Sequence, residues 1–403
     1  MEKRKKLTSR ILITLIILFI SRIGIFIPIL GIDQGELSEN ISQNRIINFL
    51  NIFSGGGFST IGIFSLGIIP YINSSIITQL IVKIIPRLEE IQKNEGEIGR
   101  QKINNITRYL TLAWGIIQSI SISLWIKPYT FNWSINFVID CVITLTTGSI
   151  IIMWFAEMIT EYGVGNGASM LIFQNIISNI PKNIENYKMS IFNDSTKTAT
   201  LLIICIMIFI VNIIIQDSKR KIKIISSKQL GEEDKLLSQN YIPLKLNQGG
   251  VMPIIFASAT MAIPQYTNVS NSAINKIISS NFFYLTTYSI LIILFSYFYS
   301  SIILNIEDMA ENLQKVGASI PNIRPGTDTI KYLKRIINKL TFIGSIFLFM
   351  IAQLPLLLSN VTKINLLQGL GTTSLLILVG VAIDTAKQIQ TYIISEQYDN
   401  IME

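Results

Sequence analysis

Histidine is absent from all 403 residues. That single absence removes Ser-His dyads and triads, His-Glu-x-x-His zinc sites and imidazole general bases. No Gly-x-x-x-x-Gly-Lys-Ser/Thr loop occurs either, so the chain does not hold nucleotide phosphates in the P-loop manner. Cysteine is nearly missing: Cys141 and Cys205 lie in separate apolar runs, too sparse for a disulfide framework or a Cys-x-x-Cys metal pair. Charge is scarce as well, at 14% of residues, and no stretch is polar enough to form a separate soluble domain. A catalytic site and a metal site are not expected, and no cofactor is implied.

Half of the residues are hydrophobic. A helix needs about 20 residues to cross roughly 30 Å of hydrocarbon, and ten runs qualify, near 11–31, 61–85, 107–127, 137–157, 166–181, 198–216, 249–266, 282–305, 340–360 and 369–388. Lys3, Arg4, Lys5 and Lys6 precede the first run in the manner of a signal peptide, yet no small-residue cleavage site follows, so a retained first helix is expected. With that tail inside and the spans alternating, 25 of the 33 Lys and Arg face the inner side: five in the tail, six in 83–108, seven in 219–245, six in 315–339, and Lys387. This positive-inside bias places both termini in the cytoplasm, or in the stroma of an organelle. Heavy use of isoleucine and asparagine points to an AT-rich genome, as in an organelle or a reduced bacterium.

The segment from Gly55 to Ile85 is apolar enough to enter a bilayer but carries glycines, Pro70 and several hydroxyl and amide side chains. Polar groups and non-helical backbone at membrane depth are tolerated only where protein or a water-filled cavity satisfies them, so this segment lines a path. Gly163-Val-Gly165-Asn-Gly167-Ala168 fits a dinucleotide fingerprint formally but has a membrane helix on either side instead of a βαβ unit, and reads as a hinge. Asp140, Glu157 and Asp384 lack the Gly-x-Gly-Asp context of an aspartyl intramembrane protease. Arg22, Asp140 and Asp384 are the weak candidates for ion coupling in a secondary transporter of a small solute, which is the alternative reading.

Ten short motifs follow one another along the chain: Phe26-Ile-Pro28-Ile-Leu-Gly31-Ile-Asp33, Phe53-Ser-Gly55-Gly56, Ile63-Phe-Ser-Leu-Gly67-Ile-Ile-Pro70-Tyr71, Glu95-Gly96-Glu97-Ile-Gly99-Arg100 with Thr107-Arg108-Tyr109, the Gly163–Gly167 turn, Tyr241-Ile-Pro243-Leu-Lys245-Leu-Asn247, Val251-Met-Pro253, Ala310-Glu-Asn312-Leu, Ile323-Arg324-Pro325-Gly326 and Gly371-Thr372-Thr373-Ser374. In this order and spacing they resemble the SecY family, the pore subunits of the Sec protein-conducting channel. The match departs at the fourth cytoplasmic loop, where arginines and a tyrosine give way to Ile224-Ile225-Ser-Ser-Lys228 and Glu232-Glu233-Asp234. The short carboxyl tail is similar to that of plastid-encoded members.

The resemblance implies an all-α membrane protein of ten transmembrane helices in two five-helix inverted-repeat halves around a central pore, residues 1–216 and 217–403, with the junction near 182–197. It implies a hydrophobic pore ring of Ile68, Ile72, Ile172, Ile176, Ile255 and Ile377. The plug would run from Gly57 through Phe58, Ser59, Thr60, Ile61, Gly62, Ile63 and Phe64 to about Leu66. Polar residues of the lateral gate would be Ser74, Ser75, Gln79, Gln118 and Asn247, holding it shut by bonds between helices. Arg324, Pro325, Gly326 and Arg335 would meet a ribosome or the SecA ATPase. Further implied partners are a SecE-type subunit, with a SecG-type subunit left open, nascent or unfolded polypeptide carrying a signal sequence, and the lipid bilayer. The implied membrane is the plastid thylakoid, or alternatively the bacterial inner membrane.

Overall fold

The computed structural model describes residues 7–35, 55–57, 61–186, 195–226, 241–250, 252–254, 256–257, 260, 281–362 and 372–402. The chain divides into two compact units, one of residues 1–186 with 384–403 and one of residues 187–383.

In the first unit, helix α1 (Leu7–Ile25) ends ahead of Pro28, whose missing N–H cannot extend the ladder. The chain then runs extended, bridging Gly62 through Pro28 and Thr130 through Ile32. The second span begins as helix α2 at Ile69 and not at residue 61, with Pro70 in its first turn, and runs to Ile84. Residues 61–68 are turns instead. Pro86 forces Ile85 into extended backbone (φ −99°, ψ 104°), so α3 (Pro86–Asn94) leaves at 106° to α2. Helix α4 (Gly96–Ile126), helix α5 (Ile135–Tyr162, capped by Ser134 accepting from the Phe137 amide) and helix α6 (Gly167–Asn186) follow.

The buried face of α4 is a column of small residues at every fourth position: Thr107, Thr111, Gly115, Ser119 and Ser123. The hydroxyls of Thr111, Ser119 and Ser123 donate to carbonyls one turn back at 2.7–2.9 Å. Each is thereby satisfied without water, while the small side chains let α4 approach α2 and α5 closely. Thr107 Oγ1 also reaches Thr78 Oγ1 of α2 at 3.2 Å. Apolar clusters complete the unit: Ile32, Ile61 and Ile126 with Trp125 and Phe137 packed around them, and Leu66 with Cys141 and Leu145.

The second unit contains α7 (Ser195–Asp217), α8 (Asn281–Ile303), α9 (Ile306–Lys315), α10 (Thr327–Thr362) and the first part of α11 (Thr372–Met402). The loop after α7 adds strands to an otherwise helical fold. Strand β1 (Lys219–Lys223) pairs antiparallel with β3 (Tyr241–Lys245), and β2 (Ile225–Ser226) pairs with β4 (Ala318–Ser319). Alternation explains the ribbon: Ile222 and Leu244 turn inward onto Ile320, Leu333, Ile336 and Ile337, while the lysines of β1 turn out. In the apolar body of the unit, Ile254, Ala257, Tyr288, Ile292, Leu348 and Leu376 form one buried cluster.

Among the described residues four helical stretches are long and apolar enough to cross a membrane, Leu7–Ile25, Gly96–Tyr129, Ile135–Tyr162 and Thr286–Lys315, and the bent α2–α3 pair makes a fifth candidate. Their outward faces carry Leu12, Phe19, Ile116, Ile120 and Ile143 exposed, as a lipid-facing surface requires.

Candidate functional site

Pro28, Pro70 and the glycines between them decide the local structure at the centre of the first unit. Ile68 precedes the first turn of α2, with its carbonyl accepting from the Ile72 amide at 3.1 Å, which puts the two side chains one turn apart. Ile172 and Ile176 stand one turn apart on α6. All four are buried, at 1%, 8%, 2% and 3% exposure, and Ile377 of the second unit is buried at 1%. Ile255 lies outside the described residues.

Of the plug positions, Phe58, Ser59 and Thr60 lie outside the described residues. Gly55, Gly56 and Gly57 are buried, and Gly55 and Gly56 adopt left-handed backbone (φ 69° and 91°) that only glycine takes up freely. From Ile61 onward the segment is fixed. The Ile29 amide donates to the Ile61 carbonyl at 3.1 Å and the Ile63 amide to the Ile27 carbonyl at 3.0 Å. Phe64 packs edge-on against Phe155, with ring centroids 6.3 Å apart. A methyl group at Gly62 would fall on the Ile25 carbonyl oxygen, and one at Gly148 on that of Ile63, so α1 and α5 hold this stretch at backbone contact.

Of the polar residues expected at a lateral gate, Ser74, Gln79 and Asn247 have hydrogen-bond partners close in sequence. Ser74 is fully buried and donates to the Pro70 carbonyl of its own helix at 2.8 Å. Gln79 reaches only Ser75, at 3.4 Å, one turn back. The Asn247 side-chain amide donates to the Gly250 carbonyl at 2.7 Å and so closes a turn instead of bridging helices. Gln118 keeps a buried side-chain oxygen with no hydrogen-bond donor, and Trp114, one turn earlier on α4, an indole N–H with no acceptor. The bond that does join two of these helices, Thr78 to Thr107, escapes sequence reasoning because threonines are common in membrane helices.

On the inner-loop side, Ile323, Arg324 and Asn322 form a turn ahead of α10, with Gly326 at φ 99° and the Thr329 hydroxyl donating to the Arg324 carbonyl at 3.0 Å. Arg324, Lys331 and Arg335 line one cavity of about 370 Å³ with Asp328 and Tyr332. Pro325 and Gly326 supply the turn and not the lining. Three cations around one concavity beside a helix N-terminus suit an anion or a phosphate-rich surface.

The SecY family model matches residues 62–386. The chain belongs to the SecY family. This SecY-family chain is 55% identical over 409 residues to the "Protein translocase subunit SecY" of Porphyra purpurea, covering all of both chains. Its fold is similar to a solved structure described as "The structure of a protein conducting channel" (TM-score 0.68, 18% identity, covering 98% of this chain and 95% of that one). It is similar also to "Sec61 in the Canine ribosome-channel complex from the endoplasmic reticulum" (TM-score 0.67, 18% identity, 98% and 95%).

Proposed function

We propose that this SecY-family chain is the pore subunit of a protein-conducting channel, passing unfolded polypeptide across a membrane and releasing transmembrane segments into lipid. The observation that carries the reading is the stretch from Gly55 to Ile72. Among its described residues Gly55–Gly56 and 61–68 are turns with a single bridge, all are buried apart from half-buried side chains such as Ile63 and Tyr71, and Ile61, Ile68 and Ile72 are among the buried ones. A channel for unfolded chains must not leak ions, and a neck of bulky aliphatic side chains seals by dewetting when empty yet conforms to a chain when filled. Ile68, Ile72, Ile172, Ile176, Ile255 and Ile377 are assigned to that neck, and residues 57–66 to the plug.

Arg324 and Arg335, on the cavity they share with Lys331, are the contact for a ribosome or for the SecA ATPase, and a SecE-type subunit completes the assembly. The similarity to a Porphyra purpurea protein supports a plastid thylakoid membrane, with both termini stromal. The test is conductance of the assembled channel in planar bilayers. Replacing Ile72 and Ile255 together by serine hydrates the neck, so frequent ion-conducting openings are expected against a quiet parent. A double variant that holds the bilayer as tight as the parent overturns the assignment.

A further inference from the structure

The two ends of the plug segment are held in different ways. The rear, Ile61–Ile63, is tied by backbone hydrogen bonds to residues 27–29 and packed at backbone contact through Gly62 and Gly148, where no methyl group would fit. At the front, among the described residues, Gly55 has a strong polar tie. Arg22 lies one turn from the end of α1, and its guanidinium donates to the Gly55 carbonyl at 2.5 Å while lying over the Phe26 ring at 4.7 Å. Among the described residues no carboxylate pairs with it. Asn175 of α6 completes the pocket: a methyl group on Gly55 would come within 2.6 Å of Asn175 Oδ1 and 3.0 Å of Arg22 Nη1.

A cation in a membrane helix is costly and is held by an opposite charge or by backbone carbonyls. Here the acceptor is a neutral backbone carbonyl on a triple-glycine hinge, with a ring face as second neighbour. Both ties are strong enough to order the hinge and weak enough to give up, since the ring still partners the charge when the carbonyl leaves. From this geometry we infer that Arg22 is a latch: it holds the front of the plug in the resting channel, and opening consists in breaking its bond to Gly55 while the rear stays in place. The inference rests on the reading of this segment as a plug.

Single-channel recording of the assembled channel in planar bilayers tests it, with four proteins beside the parent. Arg22→Gln removes the charge and is expected to raise the resting open probability about tenfold, the size of one charge-assisted hydrogen bond. Arg22→Lys keeps a cation but loses the planar fork and should fall between parent and Arg22→Gln, which also decides the matter if the glutamine variant does not assemble. Deletion of residues 57–60, which leaves the bridged rear intact, should conduct whatever stands at position 22. Combined with Arg22→Gln it should conduct no more than the deletion alone.

If the deletion conducts while both Arg22 variants are as quiet as the parent, the latch is overturned and the plug stands. If the two changes add, Arg22 acts elsewhere and the latch is again overturned. A deletion as quiet as the parent removes the plug reading and the latch with it.

Discussion

At the scale of single residues, backbone contact is what leaves the first unit least room for change. Gly148 faces the Ile63 carbonyl with no space for a methyl group, so Gly148→Ala must push α5 off residues 61–66. Overpacking of this kind costs about 1–3 kcal/mol, and the purified protein should unfold several degrees earlier in detergent. Gly96→Ala is the control: its φ of 56° brings backbone strain, but nothing lies within 4 Å of the added methyl, so α5 and residues 61–66 stay where they are. Asn247→Leu leaves the Gly250 carbonyl without its side-chain donor in the turn ahead of residue 252. Gly250 is half-buried, so the abandoned acceptor costs about 1 kcal/mol. The prediction is faster proteolysis near residue 247, with the signal-sequence hydrophobicity needed for export shifted only through that loosening. Cleavage at the parent's rate counts against the turn-closing role.

At the scale of elements, hydropathy located the first helices but not their ends: it ran the first span to residue 31 and began the second at 61, whereas α1 stops at Ile25 and α2 starts at Ile69. Pro28, Pro70 and Pro86 mark where α1 ends, where α2 starts and where it breaks, because proline acts on its own neighbours. The clustering of cations at Arg324, Lys331 and Arg335 was likewise visible as helical spacing past a Pro-Gly turn. By contrast, the glycine contacts of residues 61–66 involve positions from about 35 to 85 residues away, and a glycine placed for close approach looks like one placed for a turn. The β1–β3 ribbon was hidden by its lysines, which read as loop charge until the alternation of Ile222 and Leu244 is set beside α10. Arg108 of α4 meets Glu157 of α5 through two bonds of 2.8 and 2.9 Å, a pairing across 49 residues. The arginine side chain is 47% exposed, so the pair contributes at most about 1 kcal/mol. Arg108→Glu should therefore lower thermal stability slightly, and adding Glu157→Arg should restore most of the loss. A doubly exchanged protein no better than the single variant would show that the contact is incidental.

At the scale of the whole molecule, the distribution of basic residues sets orientation. Single cysteines placed at Arg100, Lys228 and Arg324 should all react with an impermeant reagent from one side of sealed vesicles, and a cysteine at Lys188 from the other. Any of the first three labelling with the fourth contradicts the ten-span arrangement. The apolar helices α1, α4, α5 and α8 were legible because hydropathy is local. The membership of residues 384–403 in the first unit was not, since it depends on Gln388 accepting the Gly165 amide at 2.9 Å and on Arg10 donating to the Tyr392 hydroxyl at 2.8 Å.

That last arrangement has a consequence for biogenesis. Residues 7–186 leave the ribosome about two hundred residues before the segment that completes their unit, so the first helices must wait in the bilayer with the Gly163–Gly167 turn short of a partner. A nascent chain arrested just before Asp384 should keep that turn open to protease, and one released after Tyr392 should protect it. The bundle made first is finished last.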